Sequence, residues 1–195
     1  MQKTLLITGC HRSGTTLLAS MIGLHNDIAL INEDYYDSYS RILCKKYIGT
    51  KAVIPTILLK KKRSKLYIDL RRKISKYISI IKKSHAICLC NYHINDFDKV
   101  IFIYRDREAN IASIILRHGE KRKYAERDVD MANAIKSQLM NYENILFVEL
   151  KELTNNSQYE VKRICDFLEL NYDKKMLEGY KYTPIYKNER IENKN

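Results

Sequence analysis

The sequence predicts an α/β fold in which a mostly parallel sheet is flanked by helices. Short apolar runs of strand length alternate with segments whose apolar residues recur at helical spacing. The first apolar run leads directly into a glycine-containing loop and a helix. With 195 residues, of which 45% are hydrophobic, the chain is long enough for one well-buried domain. We expect a single domain over residues 1–185 and a polar tail over 186–195.

Four apolar runs have the composition of buried parallel strands. They cover residues 4–8, 86–92, 100–104 and 145–149. Three of these runs are followed by helical patterns, at residues 15–24, 107–118 and 158–169. Strands that alternate with helices in this way predict a sheet whose strands are joined by helical crossovers.

The positive charge of the chain is concentrated in one segment. Residues 60–83 contain eleven Lys or Arg and one acidic residue, so they supply +10 of the formal net charge of +12. Apolar residues at helical spacing predict an amphipathic helix here, whose basic face is either a solvated surface or a patch for an anionic acceptor, nucleotide or membrane surface. Basic charge without a recognition motif predicts no specific binding of nucleic acid.

Composition also indicates a compartment. No run of 18 apolar residues occurs, and the N-terminus has the pattern of a core strand, so we expect neither a transmembrane segment nor a signal peptide. Five cysteines without metal-ligand spacing predict buried thiols, as at Cys88 and Cys90. Reduced thiols favour a cytoplasmic protein.

The loop at residues 9–16 has the features of a phosphate cradle. Glycines allow backbone N–H groups to face an anion, and the N-terminus of the following helix adds its dipole. The glycine spacing is that of a P-loop, but Thr15 stands where the Walker lysine is expected. Because that lysine reaches the β- and γ-phosphates in ATP and GTP enzymes, its absence argues against an NTPase. A cation, Arg12, lies three residues earlier instead.

The run from Arg12 to Leu18 resembles the 5′-phosphosulfate loop of sulfotransferases that use 3′-phosphoadenosine 5′-phosphosulfate (PAPS). The resemblance implies a P-loop NTPase-like sulfotransferase fold and an enzyme that moves a sulfuryl group from PAPS to a hydroxyl or amine, with no metal. A carbohydrate or small metabolite is the expected acceptor, and peptide tyrosine stays open. In this loop the resemblance implies donor binding by Gly9, Arg12, Ser13, Gly14, Thr15 and Thr16.

A second motif lies after the run at 100–104. Arg105 stands at the end of the predicted strand, directly after this run. Ser113 follows eight residues later on the predicted helix. An arginine at the carboxyl end of a strand points into the crevice where open α/β sheets bind ligands, and its fork matches a phosphate. Arg105 and Ser113 match the 3′-phosphate site of the same family, which usually has proline where this chain has Arg107. With a late match at 145–170, the resemblance covers about half of the chain.

We expect Arg12 to be catalytic as well, by stabilising the sulfuryl oxygens and the departing 5′-phosphate, and three further residues are candidates for the other catalytic roles. Glu33 lies 21 residues after Arg12, which matches the arginine-to-glutamate spacing of tyrosylprotein sulfotransferases, and the resemblance makes it our first choice of general base. His93 is the rival base, because it follows the apolar run at 86–92 and is expected at the same edge of the sheet. Lys51 lies in a Gly-x-Lys…Pro segment similar to that of bacterial and carbohydrate sulfotransferases, where a lysine could reach the leaving oxygen.

Two other classes of function fit the sequence less well than a sulfotransferase does. A P-loop nucleotide or sugar kinase needs a lysine in the loop and a carboxylate for Mg²⁺, and the sequence places neither correctly. A nucleic-acid-binding module would use the basic segment, but no helix-turn-helix, zinc or RNA-binding signature is present. The oligomeric state is not readable from the sequence.

Overall fold

Among the residues that the structure describes, strand β1, Lys3–Thr8, lies at the centre of a five-stranded sheet whose order is β2-β3-β1-β4-β5. The other strands are β2 (Ile28–Asn32), β3 (Tyr47–Lys51), β4 (Lys99–Tyr104) and β5 (Ile145–Glu149). The computed structural model describes residues 2–32, 45–54 and 97–182. All strand pairs in it are parallel, so the predicted fold class is confirmed.

The helices bracket the sheet. They are α1 (Thr15–Ile22), α2 (Arg107–His118), α3 (Arg122–Leu139), α4 (Leu150–Asn155) and α5 (Ser157–Phe167), followed by a 3-10 helix at Lys174–Tyr182. The helices predicted after three of the strands are present. The first of them ends at Ile22 rather than at residue 24, because Gly23 caps its C-terminus. Within the described ranges, no helix combines the length and apolar composition that a membrane crossing requires.

Two apolar clusters, one on each face of the sheet, form the core. Alternation along β1 sends Leu5 and Ile7 toward α1, α5 and the 3-10 helix, and sends Leu6 toward α2 and α3. The carboxyl ends of all five strands therefore lie at one edge of a three-layer structure. The loop at residues 9–14 follows β1 at this edge.

Some predictions fall outside the described residues. These are the strand at 86–92, the basic helix at 60–83 and the tail at 186–195. Conversely, the sequence reading did not predict β3 or α3. The apolar side of α3 begins with small residues, Ala125 and Ala132 beside Val129, before Ile135 and Leu139, and this weakens the periodic signal in the first half of the helix.

Candidate functional site

The loop between β1 and α1 is fixed to the neighbouring strand β4. The Ser13 hydroxyl is buried and lies 2.6 Å from the carbonyl oxygen of Cys10 and 3.1 Å from that of Ile103. A Cβ added at Gly9 would overlap the same Ile103 carbonyl, so only glycine allows this close approach. The loop is thus held as a rigid turn at the carboxyl edge of the sheet.

Helix α1 begins with backbone amides that no side chain caps. Gly14 occupies the N-cap position with a left-handed φ of 100° and supplies no side-chain acceptor. Thr15 and Thr16 are the first helical residues, and the first N–H groups of a helix have no partner within the helix. Such amides, together with the helix dipole, favour an anion at this position.

Arg12 connects the loop to the second motif. Its backbone has a left-handed φ of 64°, and its Nε donates to the Ser113 hydroxyl on α2 at 3.4 Å. The two residues are 101 positions apart in the chain. The fold thereby brings the loop arginine and the helix serine, which the sequence placed in separate motifs, into one site.

Lys51 enters the site from β3. It pairs in register with Ile7 of β1, is only 5% exposed, and donates from Nζ to the Thr16 hydroxyl at 3.3 Å. A lysine from the adjacent strand therefore contacts the loop that lacks the Walker lysine. The position of Lys51 is set by the sheet register rather than by the loop itself.

Arg105 lies at the carboxyl end of β4 and is half-buried. Its guanidinium forms no hydrogen bond or ion pair with any residue in the described part of the chain. The next residue, Asp106, caps α2 by accepting a hydrogen bond from Ala109 N at 2.9 Å. This cap orients α2 and leaves the preceding arginine with its donors available for an anion.

The residue that departs from the family pattern has a structural role. Arg107 donates to Asp130 on α3 through Nε at 2.8 Å and through Nη2 at 3.1 Å, and to Glu108 at 2.7 Å. The hydrogen bonds with Asp130 raise the pKa of Arg107 and lower that of Asp130. The pKa of Glu108 is lowered first by its hydrogen bond with Arg122 and then by that with Arg107. Arg107 therefore ties the start of α2 to α3 instead of facing a ligand.

Glu33 and His93, the two candidate bases, lie outside the described residues. Among the residues that are described, no group of three His, Cys, Asp or Glu side chains could hold a metal ion.

Burial raises the pKa of the Cys10 thiol, inside the loop, to about 12, so this thiol stays protonated and is a packing residue rather than a nucleophile.

The sequence reading missed two residues beside the loop. His11 Nε2 lies 3.4 Å from Oδ2 of Asp128, a buried carboxylate on α3. The ring of His118, the last residue of α2, lies 5.5 Å from the His11 ring. The available signal was weak: the helical spacing of Ala125, Val129 and Ala132 continues at Ile135 and Leu139, and it places Asp128 next to the apolar side of α3.

No protein-family model matches the sequence, and no curated protein matches it significantly. Solved structures do resemble the fold. The sulfotransferase domain from the curacin biosynthetic pathway has a TM-score of 0.56 at 15% identity, over 92% of this chain and 78% of that domain. Mouse sulfotransferase SULT7A1 complexed with PAP also gives 0.56, at 14% identity, over 91% of this chain and 62% of the mouse chain.

A third solved structure has a similar fold. The sulfotransferase from Alicyclobacillus acidocaldarius has a TM-score of 0.54 at 13% identity, and the match covers 91% of this chain and 89% of that one. At these identities the comparison concerns the arrangement of the backbone and not the chemistry. The chain therefore has a sulfotransferase-like fold.

Proposed function

We propose that this chain is a sulfotransferase that moves a sulfuryl group from PAPS to an acceptor hydroxyl or amine. The contact between Arg12 and Ser113 carries the proposal. Arg12 belongs to the motif that resembles the family's 5′-phosphosulfate loop, and Ser113 to the motif that resembles its 3′-phosphate site. One donor with phosphates at both ends accounts for a site in which these two motifs meet.

The chemistry of the donor set fits such a nucleotide. The uncapped amides of Thr15 and Thr16 and the cations of Arg12 and Lys51 suit the 5′ end, and Arg105 with Ser113 suits the 3′-phosphate. Neither Arg12 nor Arg105 forms an ion pair with a described residue, so both keep their charge available. The mouse enzyme with the same fold is described as complexed with PAP, the bisphosphate product.

The residues divide into binding and catalytic roles under this proposal. PAPS, when bound, supplies the activated sulfuryl group. Arg12 and Lys51 stabilise the negative charge that develops next to the loop during transfer. Preorganised cations contribute most to catalysis where such charge develops. A hydroxyl acceptor also needs a proton acceptor, for which we propose Glu33, with His93 as the alternative. The acceptor is proposed to be a carbohydrate or small metabolite.

Thermal denaturation with nucleotides tests the proposal. PAP should raise the Tm far more than AMP, because AMP lacks the 3′-phosphate, and the rise should be the same with and without Mg²⁺. A ligand at ~100 times its Kd adds ~2.7 kcal/mol to the free energy of unfolding. Arg105→Ala should lose most of this shift, whereas Arg107→Ala, two residues away and bound to Asp130, should keep it. A larger shift with Mg·ATP than with PAP would instead favour a kinase. Incubation with labelled PAPS and fractionated lysate would then identify the acceptor.

A further inference from the structure

Two histidines and one carboxylate meet beside the loop, in a cluster formed by His11, Asp128 and His118. His11 precedes Arg12, and its Nε2 faces Asp128 across 3.4 Å without forming a hydrogen bond in the described part of the chain, so this contact is electrostatic. Asp128 is also bound by Arg127 at 3.0 Å. His118 is exposed and lies against the His11 ring, at the end of the helix that carries Ser113.

The charges around this cluster are mainly positive. His118 faces His11 and Arg12 from the loop and Arg117 from its own helix, and Glu120 is the acidic group near it. Burial, then the His11 ring, and then the two guanidinium groups lower the pKa of His118, although Glu120 opposes them. His118 is therefore neutral near pH 7 when the loop carries no anion.

Asp128 anchors the far side of the cluster. Burial alone would raise the pKa of its carboxyl, but the interactions with His11 and Arg127 outweigh burial and hold this pKa below its ordinary value. The carboxylate is thus ionised at neutral pH and already neutralised by the groups that contact it. It therefore does little to compensate the positive charge of Arg12 next to His118, and Glu120 is the acidic group that opposes it.

We propose that His118 takes up a proton when a polyanionic nucleotide binds in the loop beside Arg12, so that nucleotide binding is linked to pH. The inference rests on the proposed function for the identity of that nucleotide. Partial burial is the first cause of the lowered pKa of His118, and repulsion from His11, Arg12 and Arg117 adds to it. A bisphosphate brings several negative charges next to Arg12, which offsets this repulsion and favours protonated His118. Protonation of His118 then favours the bound state, and affinity rises as the pH falls through the neutral range.

Calorimetric titration with PAP measures this uptake directly. Near pH 7, the enthalpy of binding in two buffers with different heats of ionisation should show uptake of about half a proton, and Kd should tighten about threefold per pH unit. His118→Gln should remove this uptake, and the exposed position of His118 makes a folding defect unexpected. The phosphates of PAP, whose second pKa lies near ~6, release protons of their own, but this contribution cancels in the difference between variant and wild type.

Arg117→Gln is the matched control, because it removes a fixed charge from the adjacent position of the same helix end. It should weaken binding slightly and keep the proton uptake. PAP binding with equal uptake in wild type and His118→Gln, or with no uptake in either, would overturn this inference and leave the proposed function standing. Failure of PAP to bind at any pH would overturn both.

Discussion

Both edges of the sheet carry basic side chains, but the partners of these side chains differ. At the amino-terminal edge, Lys3 Nζ lies 2.9 Å from Glu169 Oε2, and Lys45 Nζ donates to the Asn26 carbonyl at 2.7 Å. At the carboxyl-terminal edge, Arg12 donates to a neutral hydroxyl, and Arg105 binds no residue in the described ranges. The two edges therefore share a basic composition, but cationic side chains that are available to an anion lie at the carboxyl-terminal edge.

The difference teaches where an anion is expected. A cation paired with a carboxylate has its field largely neutralised, whereas one without a carboxylate beside helix amides favours an added negative charge. The same contrast recurs over two residues of one segment, since Arg105 is available and Arg107 is bound to Asp130 and Glu108. Counting arginines therefore locates the site less well than asking which ones already have partners.

Arg12→Ala against Lys3→Ala is the strongest way to break this comparison. If Arg12 stabilises charge that develops during transfer, its loss should lower kcat by ~10²–10³, with a smaller effect on the KM for the donor. Lys3→Ala removes a cation at the other edge and should leave kcat unchanged. Steady-state kinetics with labelled PAPS measure both. Equal loss in the two variants would mean that overall charge, and not the edge, governs activity.

Arg105→Ala against Arg107→Ala sharpens the comparison within one segment. Loss of a charge-assisted contact with a phosphate costs about 1.5–3 kcal/mol, so Arg105→Ala should weaken PAP binding by ~10–100-fold and largely preserve kcat at saturating donor. Arg107→Ala breaks the tie between α2 and α3 and should change thermal stability more than affinity. Calorimetric Kd values with Tm values for both variants check this. A greater loss of affinity in Arg107→Ala would contradict the assignment.

Much of the fold and part of the candidate site could be predicted from the sequence. The long apolar run of β4 is buried on both faces and that of the edge strand β5 only in part, and in both strands composition alone identified the run. Strand β3 was missed because Gly49, Thr50 and Lys51 do not form an apolar run, although all five residues of the strand are buried. Its burial depends on its two parallel neighbours, which is tertiary information.

The contacts within the site were beyond sequence reasoning for the same reason. Spacing could suggest Arg12, Arg105 and Ser113 one by one, but the 3.4 Å contact from Arg12 to Ser113 depends on how α2 crosses the loop. The pairing of His11 with Asp128 depends on α3, whose small apolar residues gave a weak pattern. Glu33 and His93 stay predictions, as does the domain boundary at residue 185.

The smallest expected effect concerns the amino-terminal edge, where paired charges should contribute to stability and not to activity. Asp98 accepts hydrogen bonds from the Thr4 amide at 2.6 Å and the Thr4 hydroxyl at 2.7 Å, and these bonds, the amide first, lower the pKa of its carboxyl. A carboxylate with a lowered pKa adds stability at pH values above its unfolded-state pKa near ~3.9, and this stability is lost as the pH falls through its folded-state pKa.

Asp98→Asn should therefore lower the Tm by about 2–4 °C at pH 7, and by less near pH 3. Glu143→Gln, which removes the same charge from an exposed turn, is the control and should change the Tm at pH 7 by less than Asp98→Asn does. If Asp98→Asn lowered kcat as Arg12→Ala should, the two edges would not be separable, and the contrast between paired and available charge would fail.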